Sequence, residues 1–390
     1  MLKAIKIRLY PTFQQKEMLN RHFNGVRYLY NLGLEYKQTI YKSYGIKTSK
    51  FDLINQLPDV KEAAPWLNLC KAECLQTTFD NLDSAFKGFY QGAGFPKFKS
   101  KRGKQSFVQK QNFKILENIN HLVFYKQKIK FKCSIRDTQD LRTGKIKRII
   151  YSKDNLGHYY ASVLIEYDQD LTLPKLDSKV GIDLGIKHFL VTSKGEYIKN
   201  PKFLKSSEKK LAKEQRKLSR KKKGSKNRDK QRIKVVKIHQ KITNQRNHFF
   251  HQVTNKLINE NQVIKVETLN VKGMIQNRRL SKSIQDASWS KFISILDYKS
   301  SWCGRSLDRI DRFYPSSKTC SNCGWIDENL TLSDRTFKCQ SCRHTQDRDL
   351  NAAINIENFN RDELARINAS GQQVLTTGRR KKRTSKKLSL

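Results

Sequence analysis

Two cysteine pairs, Cys320-Ser-Asn-Cys323 and Cys339-Gln-Ser-Cys342, stand fifteen residues apart and restrict their neighbourhood more than any other feature of this 390-residue chain. Each CxxC places two sulfurs on one tight turn. Two such turns at this spacing can close a tetrahedron of thiolates around Zn²⁺. A closed set leaves no position for water, so the ion implied is structural. His344 lies nearby but is surplus to four thiolates and reads as a non-ligand. Cys70, Cys74, Cys133 and Cys303 are scattered; with no secretory signal apparent, they read as reduced thiols of a cytoplasmic protein.

Charge narrows the partner. Lys and Arg number 79 against 35 Asp and Glu, a formal net charge of +44. A compact chain with that surplus repels itself unless polyanions neutralise it, and solubility needs far less. No stretch approaches the ~20 apolar residues of a spanning helix. The opening MLKAIKIRLYP alternates charged with apolar residues and builds no signal-peptide core. No membrane partner is expected. Nucleic acid is, bound with steep salt dependence.

The spacing of apolar residues sets the organisation. Ile5, Ile7 and Leu9 alternate with Lys6 and Arg8, the period of a half-buried strand, and Thr12 can cap a following helix. Helical spacing continues through Leu19, Phe23, Val26 and Tyr30, and again through Leu82, Phe86, Phe89 and Tyr90. In GAGFPKFKSKRGK, Phe95 and Phe98 interleave with Lys97 and Lys99, a pattern in which rings stack bases while cations hold phosphates. Residues 106–167 read as short strands, so the first strand is expected to join them in a basic β-module with a helical insert. From Pro201 to Glu260 the chain is polar and helical in character, broken near Gly224 and Ser225. There Lys221, Lys222, Lys223, Lys226 and Arg228 outnumber any acidic partners, so they are expected to face phosphate. An amphipathic helix is expected over Gln285 to Ser301, and the tail 371–390 reads as basic and disordered.

Three separated carboxylates carry the catalytic reading. Asp183 lies in the apolar strand VGIDLGI, Glu267 ends the run VIKVE, and Asp347 and Asp349 open a helix after the second cysteine pair. A carboxylate in an apolar strand needs a cation, a donor or solvent. Convergence of Asp183, Glu267 and one helix-start acid would hold two Mg²⁺ ions ~3.5–4 Å apart. One would ready a water and the other would stabilise the leaving oxygen. Gly181 and Gly185 would then allow the scissile strand to approach the backbone. Against this, Asp349 can be a helix cap and Glu267 a surface carboxylate.

Several long blocks resemble the TnpB (OrfB) family of insertion-sequence-encoded proteins. They are GIDLGIKHFLVTSKGEYIKNPKFL, QRKLSRKKKGSKNRDKQRIKVVKIHQKITNQRNHFFH, VETLNVKGM, DRFYPSSKTCSNCG and CQSCRHTQDRDLNAAINI, with KAIKIRLYPTFQQKEMLNRHFNGVRYLYN and GFPKFKSKRGKQSF ahead of them. The resemblance spans nearly the whole chain and includes a relation to type V CRISPR effectors. It implies a multidomain α/β protein: an RNase H-like (RuvC) nuclease domain interrupted by a four-cysteine zinc ribbon and preceded by a β-rich wedge domain with a helical recognition insert. The boundaries implied are 1–11 with 105–176 for the wedge, 12–104 for the recognition insert, 177–317 and 346–370 for the nuclease parts, 318–345 for the ribbon, and 371–390 for the tail. By motif match Asp183 and Glu267 are the first two catalytic acids and Asp349, rather than Asp347, is the third. The implied activity is Mg²⁺-dependent, two-metal cleavage of double-stranded DNA guided by an RNA from the transposon end, in a prokaryotic cytoplasm at the nucleoid. A catalytically silent RNA-guided DNA-binding regulator and a DNA-joining transposase are the alternatives. Arg343 stands where many members carry Gly.

Overall fold

Alternating side chains lie on opposite faces of a strand, and the first segment of the chain obeys that rule. In the computed structural model, which describes residues 2–101, 103–116, 121–124, 127–132, 140–141, 144–166, 170–331 and 333–360, the segment is strand β1 (Leu2–Leu9). Its Ile5, Ile7 and Leu9 are buried. The expected tail at 371–390, Cys133 and the last part of the implied 346–370 segment lie outside the described residues. The described residues form two compact units. One is Met1–Asp170 with Lys210–Lys241; the other is Leu171–Lys209 with the described residues from Ile242 onward.

The first unit holds an antiparallel sheet in the order β2-β6-β7-β1-β5-β4-β3. Its other strands are β2 (Gln105–Gln109), β3 (Lys114–Leu116), β4 (His121–Phe124), β5 (Gln127–Lys132), β6 (Lys145–Lys153) and β7 (Tyr159–Glu166). β1 lies between β7 and β5, with Ile5 opposite Val163 and Leu9 opposite Phe131. Four helices, α1 (Phe13–Tyr44), α2 (Lys50–Asn55), α3 (Leu57–Ala63) and α4 (Ala72–Tyr90), fall between β1 and β2 in sequence. Thr12 caps α1: its hydroxyl accepts from Gln15 N–H, and the Gln15 side chain accepts from Thr12 N–H at 3.0 Å. Gly45 ends the helix at φ +68°.

The second unit is built on a five-stranded sheet in the order β10-β9-β8-β11-β12. β8 (Lys179–Leu184), β9 (His188–Thr192) and β10 (Tyr197–Lys199) pair antiparallel. β11 (Val263–Glu267) and β12 (Ser306–Ile310) run parallel to β8. Parallel neighbours need a crossover. Between β10 and β11 the chain forms α5 (Phe203–Ser219) and α6 (Lys226–Glu260). Between β11 and β12 it forms α7 (Val271–Met274), α8 (Ser281–Ala287) and α9 (Trp289–Trp302). The expected single helix over Gln285 to Ser301 is thus two. Ser288, at φ +51°, occupies the left-handed region between them and turns the chain so that Ile284, Trp289 and Phe292 all enter one core.

That core fixes the polarity of the sheet. Val180, Ile182 and Leu184 of β8 and Ile264 and Val266 of β11 pack with Phe250, Leu257, Trp289 and Phe292. Burial of side chains this large stabilises by roughly 1.5–3 kcal/mol each. By the two-residue period, Gly181, Asp183, Lys265 and Glu267 turn to the opposite face. There lies α10 (Arg348–Asn358), with Ala352, Ala353 and Ile356 buried.

Candidate active site and metal centres

Gly181 determines how close α10 comes to the sheet. A methyl group at that position would sit 2.1 Å from Ala353 O and 2.4 Å from Glu357 N, both backbone atoms. The space is therefore filled by the helix. This corrects the expectation that Gly181 admits a scissile strand. Gly185 likewise serves the β8–β9 turn: its N–H donates to Phe189 O at 3.2 Å, and a methyl group there would lie 2.9 Å from His188 O. Asp349 precedes Ala353 by one helical turn, and Asp183 follows Gly181 by two residues on the same face. Seating Ala353 on Gly181 thus brings Asp349 toward Asp183.

Electrostatics report the result. Asp183 keeps a partial opening to solvent, yet its carboxyl is pushed up to about 8. Lost hydration is the largest cause, followed by the negative charges of Glu267 and then Asp349; Arg348 and the Leu184 N–H oppose the shift. Burial also raises Glu267, against a hydrogen bond donated by the Ser316 hydroxyl. Asp183 thus lies within electrostatic reach of Glu267 and of Asp349, while among the described residues only the four clustered cysteines bring three or more ligand atoms within 4.8 Å of one another.

Asp347 has a different task. Its carboxylate caps α10, accepting from Asp349 N–H at 3.0 Å and Leu350 N–H at 3.1 Å. It also hydrogen-bonds Tyr197 of β10. The alternative in which Asp349 caps the helix is therefore corrected: the cap is two residues earlier, which frees the Asp349 side chain to face the sheet. Arg348 lies 3.5 Å from Asp349 Oδ1. Arg348, Ser316 and Tyr197 were not singled out in the sequence, and none carries a local motif that would mark it.

The four cysteine sulfurs all lie within 4.8 Å of one another. Cys320 and Cys342 are 3.7 Å apart and Cys323 and Cys339 3.5 Å. A disulfide would need about 2.05 Å. A tetrahedron with Zn–S bonds of about 2.3 Å has edges near 3.8 Å, so the donor set fits zinc. Asn322 Nδ2 donates to Cys342 Sγ at 3.5 Å and Cys342 N–H to Cys339 Sγ at 3.4 Å, contacts that favour thiolates. His344 stands outside the set, with Nε2 3.3 Å from Gln346 Oε1. The short strands β13 (Thr336–Lys338) and β14 (Thr345–Asp347) pair around the second cysteine turn. Arg343 within that turn has φ +61°, a region that favours glycine.

The basic candidates divide. Phe95 meets Phe86 and Phe89 edge-on at centroid distances of 5.7 and 5.2 Å and is exposed, as are Phe98 and Lys97. The Lys99 ammonium lies 3.7 Å from the centre of the Tyr30 ring, and lost hydration holds its pKa below the usual lysine value. Arg228 is tied into the turn between α5 and α6: its NH1 donates to Leu218 O at 2.6 Å and Lys221 O at 2.8 Å. Lys222, Lys223 and Lys226 are exposed and Lys221 is half-buried. Among the described residues no helix is long and apolar enough to cross a membrane.

Three family models match the chain. One for OrfB of IS605, described as "Probable transposase", covers residues 162–278. One described as "Cas12f1-like, TNB domain" covers 289–356, which includes all four clustered cysteines and Asp349. One described as "Helix-turn-helix domain" covers 1–46, where the structure has β1 and the single long helix α1. A "Putative RNA-guided DNA endonuclease" of Streptomyces pristinaespiralis is 35% identical over 91% of this chain and 88% of its own length. The "Putative RNA-guided DNA endonuclease InsQ" of Escherichia coli (strain K12) is 28% identical over 91% of each. Among solved structures, the Cas12f1 chain of a complex with sgRNA and target DNA matches 92% of this chain and 99% of its own, at 13% identity and a TM-score of 0.52. The fold is an α/β fold similar to that of Cas12f1. On the extent of these matches, the chain belongs to the TnpB (OrfB) family.

Proposed function

We propose that the protein is an RNA-guided, Mg²⁺-dependent DNA endonuclease encoded by a transposon, and that Asp183, Glu267 and Asp349 are its catalytic acids. The observation that carries this reading is the placement of Asp183 on β8 and Glu267 on its parallel neighbour β11, with the backbone of α10 seated against Gly181 on the same face; the raised Asp183 carboxyl accords with it. The sheet supports it as well: three antiparallel strands followed by two parallel ones, in the order 3-2-1-4-5 of an RNase H-like (RuvC) domain. The carboxylates supply hard oxygen ligands of the kind Mg²⁺ prefers. When bound, two such ions activate a water and stabilise the leaving 3′ oxygen. The chain's own contribution is to hold the ligands in place. β8 and β11 fix Asp183 and Glu267 on one face, Ser316 orients Glu267, and the Asp347 cap sets the first turn that carries Asp349. Zn²⁺ in the cysteine set is structural.

The partners proposed are a guide RNA from the transposon end and double-stranded target DNA. The names of the relatives support an RNA guide and a DNA target, and a net charge of +44 calls for polyanions of that kind. Guide pairing would supply sequence specificity while the protein recognises shape and charge. The regions proposed are a β-rich wedge (1–11, 105–176), a helical recognition insert (12–104), the nuclease parts and the cysteine ribbon (318–345). Purified chain with its co-purifying RNA is expected to cut matched plasmid DNA in Mg²⁺. Asp183→Asn should lose more than the roughly 10–100-fold that second-shell changes cost; undiminished cutting by that variant rejects the assignment. The family description "Probable transposase" favours one other reading, DNA joining, for which strand transfer of transposon ends by this protein alone is the requirement.

A further inference from the structure

Two buried asparagines on α10 hold the segment that leads into the first cysteine turn. Asn355 Nδ2 donates to Ser316 O at 2.8 Å and Thr319 O at 2.6 Å. Asn351 Nδ2 donates to Thr319 O at 2.7 Å, and its Oδ1 accepts from Ser321 N–H at 2.9 Å. Cys320 lies between the two backbone groups that Asn351 grips. The asparagines are 0% and 4% exposed, so neither side chain answers to solvent. Asparagine is a poor helix-interior residue, and a buried amide is costly unless bonded. Two of them four residues apart, in a helix of 11 residues, are explained by what they hold.

The same segment reaches the carboxylates. Ser316, itself buried, donates its hydroxyl to Glu267. From the other side, β14 runs from the second cysteine turn directly into the Asp347 cap, and Arg348 N–H donates to Arg335 O at 2.9 Å. Both cysteine turns are therefore fastened to the helix that carries Asp349, and the approach to the first is fastened to Glu267.

We propose that the cysteine centre sets the divalent-ion affinity of the carboxylates, with Asn351 and Asn355 as the positioning residues that transmit it. The proposal rests on the reading of Asp183, Glu267 and Asp349 as a divalent-ion site. Metal in the cysteine set fixes the path from Thr319 to Ser321, that path fixes the axial and rotational setting of α10, and α10 sets how Asp349 meets Asp183. Coupling between two sites is reciprocal, so an ion at the carboxylates must tighten zinc by the same factor.

The test is Mn²⁺ titration of the full chain, with the free ion read by its electron paramagnetic resonance. Zinc-loaded protein is compared with zinc-stripped protein, in wild type, in Asn351→Leu/Asn355→Leu and in Asp183→Asn. Zinc-loaded wild type is expected to bind Mn²⁺ roughly five- to tenfold more tightly than stripped wild type, toward the lower end of usual allosteric couplings. The double variant should retain one equivalent of zinc yet bind Mn²⁺ as weakly as stripped wild type. Wild-type Mn²⁺ affinity that is indifferent to zinc overturns the proposal, whether or not the double variant folds. A folded, zinc-loaded double variant with full wild-type Mn²⁺ affinity overturns it too. Mn²⁺ binding that survives Asp183→Asn undiminished instead removes the carboxylate site itself, and the coupling with it.

Discussion

The cysteine set and the candidate carboxylate set both bring like-charged groups together, but the sulfurs lie within 4.8 Å of one another whereas the carboxylates act on Asp183 at electrostatic range. The sulfurs have N–H donors on Cys320, Cys339 and Cys342, and four thiolates complete a zinc shell. The carboxylates instead stay in conflict. Asp183 is pushed up to about 8 by lost water and by its neighbours, with one flanking arginine and one N–H in opposition. A closed shell converts ligand affinity into folding energy, whereas on the proposed reading the open, repelling set reserves it for an incoming ion.

The comparison breaks most severely at the closed centre. Cys339→Ser should unfold the ribbon, because zinc-binding free energies of about 10–16 kcal/mol are folding free energy in such modules. Limited proteolysis should then cut within residues 318–345, and zinc analysis should show less than one equivalent. A smaller effect is expected where the open centre is assembled. Gly181→Ala forces a methyl group against the backbone of α10. Overpacking of that kind costs about 1–3 kcal/mol, to be read as a lower midpoint in urea. Cleavage should fall further than stability does, because a displacement near 1 Å can cost about 100-fold in rate.

The sign of the pH response sharpens the contrast. The Asp183 carboxyl in the folded protein is about 8, above its value of about 3.9 in an unfolded chain. Its contribution to stability is therefore complete below about pH 4 and is lost as pH rises toward 8. Without divalent ions, unfolding free energy should fall from pH 5 to pH 8 by up to about 4 kcal/mol at one proton per molecule. Asp183→Asn should flatten that slope, and so should saturating Mg²⁺; a slope unchanged in both would contradict the electrostatic account. Smallest of all is Arg343→Gly. Relief of a left-handed residue should stabilise by about 1 kcal/mol, measurable as a modest rise in melting temperature of the zinc-loaded protein.

How much could be read in the sequence follows from the range of each interaction. The cysteine turns were legible because ligand spacing is local. Asp183 and Glu267 were legible as carboxylates at strand positions, and alternation then decided their shared face. The choice between Asp347 and Asp349 came from family resemblance; the cap geometry adds a physical reason for it. Gly181 was misread because its partner, α10, lies about 170 residues downstream, and no local pattern names it. Asn351, Asn355 and Ser316 were silent for the same reason: each earns its place through a distant backbone group. Ser288 was missed because helical periodicity continues across it. Arg228 was counted among free cations, although the turn it closes takes up one end of its guanidinium.

The position of β1 has a consequence for the order in which the molecule is made. It is translated before both of its neighbours in the sheet, β5 and β7, and the last of these ends at Glu166. Translation must run on through the whole helical insert before either edge of β1 finds a mate. Throughout that interval the apolar face of Ile5, Ile7 and Leu9 and both hydrogen-bonding edges of the strand are without the partners they have in the folded sheet.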